Sequence, residues 1–85
     1  MTAETLHEHL RRQPFQPFRV FLSDGSKHDV RHPEMALLTR REIIIAVPQD
    51  AQDIPERTVI CDLLHVTRVE PINGKSASRR SRTQN

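Results

Sequence analysis

The apolar residues of this chain fall into short runs, most of them alternating with polar residues and separated by turn-forming ones. Phe18, Val20 and Leu22 alternate with Arg19, Phe21 and Ser23, the period of a half-buried strand. Ser23-Asp24-Gly25-Ser26 follows, and parity decides its loop. A two-residue Asp24-Gly25 loop sets Val20 opposite Asp29 and Phe18 opposite Arg31, which brings charge onto the apolar face. A three-residue loop, Ser23-Asp24-Gly25, sets Val20 opposite His28 and Phe18 opposite Val30. It also places Gly25 at the left-handed position of a G1 bulge. The three-residue loop is therefore expected.

A second strand over about 26–31 ends at His32-Pro33, because proline cannot donate to a central ladder. Met35 to Thr39 reads as a strand or as one helical turn, and Arg40-Arg41 as a tight charged turn. Ile43-Ile44-Ile45-Ala46-Val47 is β-branched and apolar on both faces, the clearest strand of the chain, and Pro48 ends it. Residues 48–56 form a polar loop that is expected to be mobile. Thr58 to Cys61 is the next strand, Asp62 to His65 a turn, and Val66 to Glu70 a last strand closed by Pro71. Ahead of the strands, residues 3–12 predict a helix. Thr2 is its cap, Leu6 and Leu10 share one face, Arg11 and Arg12 suit its negative end, and Pro14 stops it. The expected fold is mainly β with one N-terminal α-helix, followed by about five short antiparallel strands in a small barrel.

Composition divides the chain in two. The four basic residues Lys75, Arg79, Arg80 and Arg82 have no acidic companion after residue 72, and they account for the formal +2 of the whole. Residues 1–72 hold nine Lys/Arg against eleven Asp/Glu, so they are mildly acidic. We read 1–72 as a single helix-plus-β-barrel domain and 73–85 as a disordered basic tail. Any attraction to nucleic acid or anionic membrane resides mainly in that tail. Cys61 is the single cysteine, so no internal disulfide supports the thin core of an 85-residue chain. A lone thiol fits a reducing compartment. The first residues lack the basic start and apolar stretch of a signal peptide, and no apolar run approaches the ~20 residues of a membrane span. The expected setting is cytoplasmic.

The residues with chemical potential read more simply as structure. His28 and His32 lie four apart on a strand, which at ~3.3 Å per residue leaves them ~13 Å apart, too far to share one zinc ion. His7 and His9 point apart on the helix. Cys61-x-x-x-His65 crosses a turn but needs two further ligands. The Asp62 carboxylate beside Cys61 raises a thiol pKa, so Cys61 reads as a small buried hydrophobe and not as a nucleophile. Two glycines build no phosphate-cradling loop, and Asp50 and Asp53 have no apolar pocket around them. Catalytic residues, metal and cofactors are therefore not expected, and the chain reads as a non-enzyme.

Several segments carry a resemblance. Pro14-Phe15-Gln16-Pro17-Phe18-Arg19, Leu22-Ser23-Asp24-Gly25, His32-Pro33-Glu34 and the run from Leu63 to Pro71 look like a family of small bacterial proteins to which no activity is assigned. The layout is also similar to that of Sm-like proteins such as the bacterial Sm-like RNA chaperone. There too a helix precedes five strands, with an Asn/Asp-Gly turn between the first two and a short turn between the last two. That resemblance implies RNA binding. This chain has Leu64-His65 where the chaperone has a Lys-His pair before its last strand, so no RNA-pocket residue is carried over.

Apolar residues left over by one small core point to contacts with protein. Ile43, Ile45 and Val47 fill one face of their strand and Ile44 and Ala46 the other, while a small barrel has a single interior. Phe21 and Ile60 add to the surplus. Phe21, Ile44 and Ile60 are the candidate protein interface, and Lys75, Arg79, Arg80 and Arg82 the candidate nucleic-acid contact. The expected function is that of a self-associating interaction protein, with nucleic-acid binding through the tail as the alternative. No small-molecule substrate is evident.

Overall fold

The computed structural model describes residues 1–48 and 54–72. Helix α1 (Ala3–Arg11) is followed by strands β1 (Phe18–Leu22), β2 (Lys27–Val30), β3 (Ala36–Leu38), β4 (Glu42–Pro48), β5 (Pro55–Asp62) and β6 (Val66–Pro71). Among the described residues the strands form two antiparallel three-stranded sheets, ordered β2-β1-β6 and β3-β4-β5, and no closed barrel is found. The chain is thus mainly β with one N-terminal helix, but with six strands where about five were expected. The sixth comes from the segment read two ways. Pro33–Met35 makes a 3₁₀ turn, and Ala36–Leu38 then pairs with β4 as β3. Proline fixes φ for the turn, and the residues after it are free to extend. The segments 49–53 and 73–85, and with them Asp50, Asp53 and most of the expected loop, lie outside the described residues.

Local chemistry fixes each element. The Thr2 hydroxyl accepts from the Thr5 backbone N–H at 3.2 Å and caps α1, Glu4 sits in the first turn, and His9 and Arg11 sit in the last. The first hairpin adopts the three-residue loop. Phe18 faces Val30 and Val20 faces His28, with Gly25 at φ +91°. Asp24 Oδ1 accepts from the Ser26 N–H at 2.9 Å and from its hydroxyl at 2.6 Å, which locks the turn. Between β5 and β6, Leu63–His65 is a 3₁₀ turn whose Leu64 N–H is capped by Asp62 Oδ1 at 2.9 Å. The end of β6 is tied to the entry of β1 by the Ile72 N–H, which donates to the Pro17 carbonyl at 2.8 Å.

The core joins both sheets and the helix. Phe18, Val20, Val30 and Val66 come from one sheet, Ile43, Ile45 and Cys61 from the other, and Leu6 and Leu63 complete it. Phe15 and His9 pack their rings against Phe18, with centroids 6.1 and 5.3 Å away. The helix therefore covers the interior with Leu6 and leaves the outer faces of both sheets to other groups.

Candidate functional site

Strand alternation decides what each outer face presents. On β2-β1-β6, the positions between the buried Phe18 and Val20 and beyond them are Arg19 and Phe21. Arg19 lies opposite Asp29 on β2 and opposite Glu70 on β6. Its guanidinium grips Asp29 with two hydrogen bonds, Nε to Oδ1 at 2.7 Å and Nη2 to Oδ2 at 3.2 Å. Arg31 adds a third at 3.2 Å, and Arg68 binds Glu70 at 2.8 Å. The hydrogen bond from Arg19 holds the Asp29 carboxyl below the usual carboxylate value and raises Arg19 in turn, while partial burial opposes the Asp29 shift. Phe21 lies opposite Lys27 and Arg68, and the Arg68 guanidinium sits 3.8 Å from its ring centroid. The aromatic that the sequence leaves over is half-buried under a cation, an arrangement worth about 0.5–1 kcal/mol at such exposure.

The outer face of β3-β4-β5 is different. Ile44 lies opposite Leu37 on β3 and opposite Ile60 on β5, so three aliphatic side chains form one row across the sheet. Leu37 and Ile60 are each 62% exposed, and Ile44 between them is half-buried. The inward neighbours Ile43 and Ile45 are fully buried, so this row is the second face of the strand that a single core leaves over. Below the row stand Glu42 and Asp62, opposite each other, and above it Ala46 and Thr58. Of the candidate interface residues, the structure brings Ile44 and Ile60 together and places Phe21 on the other sheet. Leu37 completes the row and was missed. The signal is present, because a two-residue Arg40-Arg41 turn sets Leu37 opposite Ile44, but the run Met35 to Thr39 fits a strand and a helical turn alike, so its pattern alone does not assign Leu37 a face. Lys75, Arg79, Arg80 and Arg82 lie outside the described residues.

A hollow of about 380 Å³ separates the first hairpin from β5 and is lined by Ser23, Asp24, Cys61, Asp62 and His65, among others. Here the sequence reading overlooked a hydrogen-bonded pair, Ser23 Oγ with His65 Nδ1 at 3.2 Å, joining residues 42 apart in the chain. Both are exposed, and among the described residues no carboxylate hydrogen-bonds the imidazole to orient it as a base, as nucleophile activation requires. Cys61 is buried, and burial first and the Asp24 carboxylate second push its thiol up, away from thiolate. The carboxylate acting on it is thus Asp24 across the hollow, not its chain neighbour Asp62. A larger open groove of about 800 Å³ runs between the start of α1 and the β3–β4 turn, where Glu4, His7, Arg40 and Arg41 make no ion pair with one another. Among the described residues no three His, Cys, Asp or Glu side chains group as metal ligands would, and no helix is long and apolar enough to cross a membrane.

No family model matches this chain, and no curated protein or solved structure matches it either. The surface features themselves define a small helix-plus-β protein with one ion-paired sheet face and one apolar sheet face.

Proposed function

We propose that this chain is a non-enzymatic interaction protein that associates with itself through the outer face of β3-β4-β5. The observation that carries the reading is the uncovered row Leu37–Ile44–Ile60. Removing a large aliphatic side chain fully from water contributes about 1.5–3 kcal/mol, and two of these three are still mostly exposed in the single chain. A small core gains from such cover, since thin domains have little stability in hand. The order helix, Asp24-Gly25 hairpin, and a short turn between the last two strands supports assigning the chain to the small Sm-like barrels. A lone, buried cysteine supports a reducing, cytoplasmic setting.

A second reading rests on the acid-free basic run after residue 72. In it, the chain binds RNA or DNA through Lys75, Arg79, Arg80 and Arg82. One experiment addresses both readings: mass in solution measured together with the 260/280 nm absorbance ratio of the purified protein. A multiple of the chain mass free of nucleic acid supports self-association alone. Phosphate contacts give an affinity that falls with salt, with a slope near −0.9 per contact on duplex DNA. Absence of RNA and DNA binding at about 50 mM salt, where such contacts are strong, removes the second reading.

A further inference from the structure

The outer face of β2-β1-β6 is closed by ion pairs, yet it is not neutral. Arg19, Lys27, Arg31 and Arg68 stand on it against two carboxylates, Asp29 and Glu70. The other residues of 1–72 hold five Lys/Arg against nine Asp/Glu, so the positive excess of the domain is gathered on this face. Asp29 is shared by Arg19 and Arg31, and among the described residues no ion pair reaches Lys27. The acids that flank the hairpin in sequence lie elsewhere. Asp24 acts on Cys61 across the hollow, and Glu34 belongs to the 3₁₀ turn that packs on β4. The Arg68 guanidinium lies 3.8 Å from the Phe21 ring centroid while its side chain stays 57% exposed. Its outer plane is therefore open to a flat ligand, and nucleobases stack on guanidinium planes as they do on aromatic rings.

The chain also leaves the domain at this sheet. Pro71 lies opposite Phe18, beside the Arg19–Glu70 pair, and the Ile72 N–H donates to the Pro17 carbonyl at 2.8 Å. Three residues span at most about 11 Å, so the acid-free basic run opens with Lys75 within that reach of Ile72. Cations on one sheet face, continued by a basic run from its end, suit phosphates spaced along a flexible strand. A membrane surface takes up apolar side chains, and the one aromatic of this face is already covered. We propose that the outer face of β2-β1-β6 binds single-stranded nucleic acid, with phosphates on Lys27, Arg31 and the tail and a base stacked on the Arg68 guanidinium over Phe21. The proposal rests on the nucleic-acid reading of the tail and adds to it the surface of the domain that the strand crosses.

Fluorescence anisotropy of a labelled oligothymidylate of about 15 nucleotides, titrated with the full chain from about 50 mM salt upward, tests the proposal. Lys27→Ala is expected to weaken binding several-fold and to make the salt slope shallower by about 0.7, one phosphate on a single strand. Arg40→Ala removes the same charge from the β3–β4 turn and is expected to leave affinity and slope nearly unchanged. Arg68→Lys keeps the charge and loses the plane, so it is expected to weaken binding several-fold at an unchanged slope. All three residues are exposed, and circular dichroism checks that each variant is folded. Binding that is lost when the four tail cations become alanine, yet is indifferent to Lys27→Ala and Arg68→Lys, overturns the face and leaves the tail reading standing. A duplex bound as tightly as the single strand overturns the choice of a single strand. A chain that binds neither oligothymidylate nor oligouridylate at about 50 mM salt overturns both readings, whatever its affinity for vesicles of anionic phospholipid.

Discussion

On the outer face of β2-β1-β6 both positions opposite Arg19 are acidic, whereas on β3-β4-β5 both positions opposite Ile44 are aliphatic. The two sheets are alike in size and share one core, yet they meet water differently. The first satisfies itself: Asp29 receives two arginines, Glu70 receives one, and Phe21 is covered by Arg68. The second has no charged side chain in its central row and is not covered by the helix, whose Leu6 is spent on the interior. A surface aromatic beneath a cation is a finished surface, while a row of exposed aliphatics is an unfinished one.

The largest contrast lies within one strand. Ile45→Glu is expected to unfold the protein, since an uncompensated buried charge costs about 3–5 kcal/mol, a large share of a small domain's stability. Ile44→Glu, one residue away on the outer face, is expected to keep the circular dichroism spectrum and a cooperative melting transition, lowered only by the stability that association contributes. Equal melting temperatures for the two variants would mean that the assignment of faces on β4 is wrong. Next in size is the hairpin that supports the ion-paired sheet. Gly25 holds φ +91°, so Gly25→Val is expected to cost about 1–3 kcal/mol in urea unfolding, and Asp24→Ala less. Nothing crowds the glycine's missing Cβ, so the loss would report backbone strain and not a clash.

Arg68→Ala removes the cation over Phe21 and one ion pair, and is expected to lower stability by about 1 kcal/mol or less without altering the mass in solution. A change of mass with that variant would move the interface to the other sheet. The smallest effect is that of pH. Asp29 has a depressed pKa in the folded state, so its contribution is fully present above the ordinary carboxylate value of 3.8 and is lost as pH falls through the lower folded value. Thermal melts of the wild type are therefore expected to lose more stability on acidification below that value than melts of Asp29→Asn.

Much of this comparison was legible in the residues. Period-two alternation and parity placed Phe18 against Val30 and Val20 against His28, because a slip of one residue exposes the apolar set. Consecutive Ile43, Ile44 and Ile45 announced a strand with two apolar faces. What the pattern could not assign was which surplus residues would meet. Phe21 and Ile44 look equivalent as leftovers, but partnering across strands is non-local: Phe21 found Arg68, and Ile44 found Leu37 and Ile60. The Ser23–His65 pair escaped for the same reason, since nothing in either local segment signals a contact 42 residues away.

The central claim, that the apolar face of β3-β4-β5 is a self-association surface, is tested most directly by sedimentation equilibrium of the wild type and of Ile44→Glu at micromolar concentration. The account predicts a wild-type mass of a multiple of 9.9 kDa and a folded Ile44→Glu chain at the single mass. A wild-type protein that sediments as a clean monomer and binds no apolar-surface dye would contradict it.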